Sequence, residues 1–187
     1  MIAAAPGDIL AVRESNGIWS KLIRFSEWWR GLPDLSDHCV VVTHKDQTGR
    51  WIGIAGGPRG VAVCDCTAYL QSSLTRSNYG QPRRNNHHQL SSFLASCAKS
   101  LGIAYDWVGI VEDTLDAFDL HDLSELIDPL WRWPTEDNVL PGHVVCSSLA
   151  ARLYEIVGWE HPDVGTERVC VPAQWWQWNN NKAWRGV

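Results

Sequence analysis

No run in this sequence approaches the length needed to cross a bilayer; purely aliphatic stretches such as Val40-Val41-Val42 are only a few residues long. Met1 to Pro6 is apolar but too short for the core of a secretory signal, and Asp8 follows at once. The expectation is a chain with no signal peptide and no transmembrane segment, cytoplasmic or associated with a phage. A basic stripe is missing too. The formal net charge is −5 and the pI about 5.7, so nucleic acid is a poor default partner. Arg83-Arg84 reads as part of a solvated loop. No Gly/Ser-rich linker and no internal repeat divides the 187 residues. One domain spanning 1–187 is expected, long enough to bury a core without staples.

Metal-binding patterns are equally scarce. Cys64-x-Cys66 is too tight for a usual zinc pair and has no matching second pair. His87-His88 are adjacent residues in a polar stretch and read as solvated. Neither a metal nor a cofactor is expected. The six cysteines, in a chain of this size without a secretory signal, read as reduced and mostly buried packing residues rather than a disulfide framework.

Tryptophan is abundant, with twelve in the chain. Trp159, Trp175, Trp176, Trp178 and Trp184 cluster near the end, and Trp131 and Trp133 flank Arg132. Core packing is the first reading of these rings. An aromatic groove that grips a sugar or a peptide is the second.

The hydrophobic pattern predicts a short strand at Gly7 to Val12, then a helix over Ile18 to Trp29 with Trp19, Leu22, Ile23 and Ser26 on one face. Strands follow at His38 to Thr43, Trp51 to Ala55 and Val61 to Cys64, giving a small antiparallel sheet. Asn78 to His88 reads as a loop. Leu90 to Leu101 is an amphipathic helix stopped by Gly102. Residues 113–138, rich in Asp, Leu and Trp, read as an inserted lid. A helix from Cys146 to Val157 carries Leu149, Ala150, Leu153 and Ile156 on its apolar face, and Gly158 ends it. The fold class expected is α+β.

Two residues stand out chemically. Cys146 sits at the start of its helix, where free N–H groups and the helix dipole favour an anion. A thiol is a nucleophile only as the thiolate, and this position lowers its pKa. The amides of Ser147 and Ser148 are candidates for an oxyanion hole. His38 opens an apolar strand, where its ring can meet a helix start packed on the sheet edge, and imidazole is the natural base near neutral pH. His143, three residues before Cys146, is the rival base. Its place on the lead-in puts it too near its own backbone to aim well.

The order of short motifs is Gly7-Asp8-Ile9-Leu10, a helix, Ser36-Asp37-His38-Cys39-Val40, Trp51-Ile52-Gly53-Ile54-Ala55 and Gly60-Val61. Then come Gly102-Ile103-Ala104-Tyr105-Asp106-Trp107, Val145-Cys146-Ser147-Ser148-Leu149 and Val171-Pro172-Ala173. This order resembles the circularly permuted branch of the NlpC-like papain-fold cysteine peptidases, in which the histidine strand precedes the cysteine helix. The likeness runs from about Gly7 to Ala173. It implies catalysis by Cys146 and His38, with Tyr105, Trp131, Trp133, Ser147 and Ser148 as oxyanion or substrate contacts. It also implies cleavage of an amide in peptidoglycan-type peptides. One departure is visible. The branch usually carries a polar third residue on the strand after the histidine strand, and Gly53 or Ile54 stands there. His44, six residues from His38, is roughly 20 Å away along an extended strand and is a poor substitute.

Two rivals remain open at this point. Permuted relatives that resemble lecithin:retinol acyltransferase form the same acyl-cysteine and pass it to an alcohol or amine, as acyltransferases or thioesterases. A binding or structural module, for example of a phage particle, would keep the fold without the chemistry.

Overall fold

The computed structural model describes residues 4–13, 17–32, 35–57, 59–71, 78–80, 87–105, 143–162 and 172–180. The expected lid at 113–138, with Trp131 and Trp133, lies outside the described residues, as do Cys170 and Trp184.

Strands β1 (Ile9–Val12), β2 (His38–Lys45), β3 (Trp51–Gly57), β4 (Gly60–Asp65) and β5 (Asn78–Gly80) form one sheet in the order β4-β3-β2-β1-β5. Every neighbouring pair in it is antiparallel. Short strands β6 (Ala104–Tyr105) and β7 (His143–Val144) pair in parallel beside it. Five helices are described: α1 (Ile18–Trp29), α2 (Thr67–Gln71), α3 (His87–Lys99), α4 (Cys146–Ile156) and α5 (Pro172–Asn180). The α+β class expected from the sequence is the one observed.

The central strands β1 and β2 are apolar on both faces because both faces are covered. Alternate side chains of a strand point to opposite sides. Ile9, Ala11, Cys39, Val41 and Ile54 join one core with Phe93 of α3, Leu149, Leu153 and Tyr154 of α4, and Trp175 of α5. Leu10, Val12, Val40 and Val42 join a smaller core with Cys66, flanked by Trp51, Tyr69 and Leu70. The β2–β3 turn is held by the Asp46 carboxylate, which accepts from the amides of Thr48 and Arg50, each at 2.9 Å. Gly49 supplies the left-handed residue there at φ 87°.

Several elements differ from the expectation, among them α2, β6 and β7, which it did not include. Part of the polar stretch 78–88 becomes β5, because the open edge of β1 offers pairing that local polarity does not predict. The same stretch also supplies the first turn of α3, which begins at His87. The segment from Pro172, read only as a Trp- and Asn-rich tail, is α5. Its first position is a proline, whose fixed φ suits N1. Its Ala173 amide donates at 2.8 Å to the carboxylate of Glu27, a buried residue of α1. That cap comes from 146 residues away in the chain, so no local pattern announces it.

Candidate active site around Cys146 and His38

Cys146 is the first residue of α4. Its N-cap is Val145, which makes no side-chain capping bond. The amides of the first turn are therefore open to another acceptor. Cys146 is 2% exposed and packs in the core with Cys39, Val41 and Ile54.

The neighbouring strands open where the thiol arrives. Paired positions of β2 and β3 run from Lys45–Trp51 to Val41–Ile54 and go no further. Beyond that point the amide of Cys39 donates to Cys146 Sγ at 3.4 Å. Gly56, two residues past Ile54, faces the helix start. A Cβ at Gly56 would lie 3.2 Å from two ring carbons of Tyr105 and 3.5 Å from Cys146 Cα. The absent side chain is what lets the helix start and the tyrosine ring close on the sheet.

His38, half-buried, opens β2 opposite Val12 of β1. Its ring hydrogen-bonds the Cys146 thiol. Burial is the largest influence on that thiol and pushes its pKa up. The charge on His38, its hydrogen bond and the amides of Cys39 and Ser147 outweigh burial, and the net direction is below the ordinary 9.0. Two other buried cysteines lack such company. Cys66 is pushed up by burial to about 11, and Cys97 to about 12. A thiolate is thus favoured at Cys146, beside an imidazole, and opposed at Cys66 and Cys97, and a thiolate–imidazolium pair can attack an acyl carbon.

The other candidates fall into place around this pair. Ser147 contributes its amide to the sulfur, and its carbonyl accepts the indole N–H of Trp175 at 3.1 Å. Ser148 is half-buried, and its hydroxyl has no hydrogen-bond partner among the described residues. Tyr105 lies on β6, next to β7, and its ring and the Cys146 backbone both approach the open position at Gly56. His143 begins β7; the imidazole bonded to the thiol is that of His38. His44 is exposed, with Nδ1 3.1 Å from Thr43 Oγ1. Gly53 has no room for any side chain, since a Cβ would meet the Val41 carbonyl oxygen at 2.5 Å. Ile54 points into the apolar core. Neither position can supply a polar orienter for His38.

The described tail tryptophans follow the first reading, core packing, rather than the second, a groove. Trp159 stacks on Phe93 with ring centroids 4.8 Å apart, and Trp175 is fully buried edge-on against Tyr154. Trp176 and Trp178 pack against the same core. Large flat rings fill the space between three helices and a sheet more cheaply than they line an open cleft.

Three contributors escaped the sequence reading. The Cys39 amide is a backbone group, and nothing in a side-chain pattern marks it. Gly56 lies just past the expected strand end at Ala55, although β3 runs through it. Trp175 carried the one usable signal: a buried indole needs an acceptor for its N–H, and here that acceptor lies in the first turn of α4.

Among the described residues, no group of three or more His, Cys, Asp and Glu is placed to hold a metal ion. No family model, curated protein or solved structure matches the chain.

Proposed function

We propose that this chain is a cysteine hydrolase that cleaves an amide bond through an acyl-Cys146 intermediate, with His38 as its base. The observation that carries the reading is electrostatic and geometric together. One fully enclosed thiol is hydrogen-bonded to an imidazole, receives two backbone amides and is held below 9.0, while Cys66 and Cys97 are pushed up to about 11 and about 12. A packing cysteine needs none of these partners.

The chemistry follows from the pair. His38 takes the thiol proton, and the sulfur attacks the carbonyl carbon, forming a C–S bond. Negative charge moves to the carbonyl oxygen. The tetrahedral species collapses, the C–N bond breaks, and the imidazolium gives its proton to the leaving amine. Water, deprotonated by His38, then attacks the thioester, and the carboxylic acid leaves as Cys146 regains its proton. Amides of the α4 first turn, together with Tyr105, are the candidates for stabilising the oxyanion.

The order of elements supports the permuted papain-like reading: a histidine strand, then its antiparallel neighbours, then a cysteine helix packed on the sheet face. Peptidoglycan-type peptides are proposed as substrate on the likeness between Gly7 and Ala173 alone. The test is release of peptide fragments from bacterial cell-wall material by wild type, Cys146→Ala and His38→Ala. Wild type is expected to release fragments, and each variant to lose activity by orders of magnitude. Cys146→Ala should keep its fold with a stability change on the order of 1 kcal/mol. If all three are equally inactive on walls, on model acyl esters and on lipids, the chain is a binding module. Release of transfer products to an added alcohol or amine, in place of hydrolysis, would make it an acyltransferase.

A further inference from the structure

Helix α1 is inverted relative to a normal surface helix. Its polar and charged residues Arg24, Ser26 and Glu27 are buried, at 8%, 2% and 0% exposed. Ile18, Trp28 and Trp29 are 70%, 61% and 53% exposed, and Phe25 is 37% exposed. The buried face is held by polar contacts: Glu27 receives the Ala173 amide, and Arg24 lies 3.9 Å from the Asp37 carboxylate. Phe25, Trp28 and Trp29 form one patch on the outer face, with ring centroids 5.8 to 6.3 Å apart. Four of the seven exposed large hydrophobics among the described residues belong to this one helix.

A cleft of about 380 Å³ adjoins the patch, lined by Arg13, Lys21, Arg24, Phe25 and Trp28. Among the described residues its lining sets Arg13 and Lys21, with the Asp37-paired Arg24, beside two aromatic rings, on a chain whose net charge is −5. We propose that this face docks on the surface of an anionic phospholipid bilayer, with lipid phosphates in the cleft and the rings at headgroup depth. Three features select that occupant. The rings stand on the convex side of a helix, which suits a yielding surface better than a rigid pocket. Tryptophan favours the membrane interface, where its indole can be apolar on one side and wet on the other. A 12-residue helix is about 18 Å long and can lie flat in that layer without crossing it. A second copy meeting the same face by two-fold symmetry would set Arg13 and Lys21 against their own kind. Arg13 follows Val12, the strand partner of His38, so the docked face lies beside the strand end that carries the imidazole. The inference stands independently of the hydrolase reading.

Sedimentation with vesicles tests it, using phosphatidylcholine alone and phosphatidylcholine with phosphatidylglycerol. The wild-type chain is expected to bind only the anionic vesicles, less as salt rises. Lipids brominated on the acyl chains should quench its tryptophan fluorescence. Trp28→Ser with Trp29→Ser should weaken binding at least tenfold. Lys21→Gln and Arg13→Gln should each weaken it about fivefold, the share of one basic residue at an anionic surface. These residues are solvent-facing or at a cleft rim, and the quenching of the wild type needs no variant at all. The proposal is overturned by equal binding to both vesicle types or by none. Full displacement by inorganic phosphate would make the cleft a soluble-anion site. Self-association abolished by the tryptophan changes would make the face a dimer contact.

Discussion

Replacing His38 by alanine removes the largest influence that opposes burial at Cys146, and neighbouring cysteines show the direction that follows. Without the imidazole, burial remains as the dominant influence, offset only by the Cys39 and Ser147 amides. Cys66 and Cys97 mark the limit of burial with little opposition, at about 11 and about 12. Loss of the imidazole lets burial move the Cys146 thiol upward, in the direction of Cys66 and Cys97. Above neutral, each unit by which a thiol's pKa rises cuts its thiolate fraction at neutral pH about tenfold. The more basic thiolate is also the better nucleophile and regains about half a log unit per unit of pKa. The net expectation is a slower alkylation of Cys146, by about threefold or more. The assay is iodoacetamide labelling at several pH values, quenched at intervals, with each cysteine peptide quantified by mass spectrometry. Cys97 is the internal standard, and its rate should not change between wild type and variant once both are shown folded. In wild type, Cys146 should label well below the pH at which an ordinary thiol ionises. Equal labelling of Cys146 in both proteins, or a wild-type rate no faster than that of Cys97, would refute the thiolate pair.

Two glycines of β3 separate strand geometry from site geometry. Gly53→Ala forces a Cβ to 2.5 Å from a backbone oxygen, so the strand must shift, at a cost of about 1–3 kcal/mol in urea unfolding. Gly56→Ala meets a tyrosine ring at 3.2 Å, which can give way; stability should fall less, while Cys146 labelling and hydrolysis drop as Tyr105 and the helix start are displaced. Alkaline unfolding gives a third check. Cys66 and Cys97 are neutral in the fold and ionise near 9.0 when unfolded, so their stabilisation is complete below 9.0 and is lost as pH rises toward about 11 and 12. Chemical denaturation across that window should show up to about 1.4 kcal/mol lost per pH unit per thiol, and Cys97→Ala should flatten the slope. Cys146 has the opposite sign: its lowered pKa stabilises the fold above 9.0, and that contribution fades as pH falls through its folded value.

The sheet was legible because its period is local. His38 to Thr43 and Trp51 to Ala55 alternate or run apolar as central strands do, and the structure extends them by two residues each, to Lys45 and Gly57. The α1 boundaries, Ile18 to Trp29, were also legible, but the burial of its charged residues was not. Periodicity put Trp19, Leu22, Ile23 and Ser26 on one face; Ser26 is buried and Leu22 and Ile23 half-buried, but Arg24 and Glu27 are buried too, against Asp37 just before β2 and the Ala173 amide of α5. A pattern of apolar residues cannot report that a charged face has found buried partners elsewhere. The same blindness applies to α5, whose cap comes from α1, and to β5, whose pairing is decided by a free edge.

Cys146 and His38 were legible as residue types at element starts, yet what distinguishes them is how β2 and β3 separate beyond Val41–Ile54. Were the register to continue, the Cys39 amide would be committed to β3 and a side chain at position 56 would stand where α4 now begins. Ending the pairing there frees one donor for the sulfur, and the glycine admits the helix start whose Ser147 amide supplies a second. These two amides are fixed by backbone geometry and cost no side-chain ordering when charge develops on the sulfur. That bears on how the work divides between the imidazole and the backbone. An enzyme that relied on imidazole alone to hold the thiolate would lose the anion and the proton transfer together when the ring is replaced. Here the sulfur has amide donors as well, so replacing the ring costs proton transfer more than it costs the anion. His38→Gln therefore separates the two roles: it should depress turnover far more than it depresses alkylation of Cys146. Equal losses in both would mean that the amides carry no share of the charge.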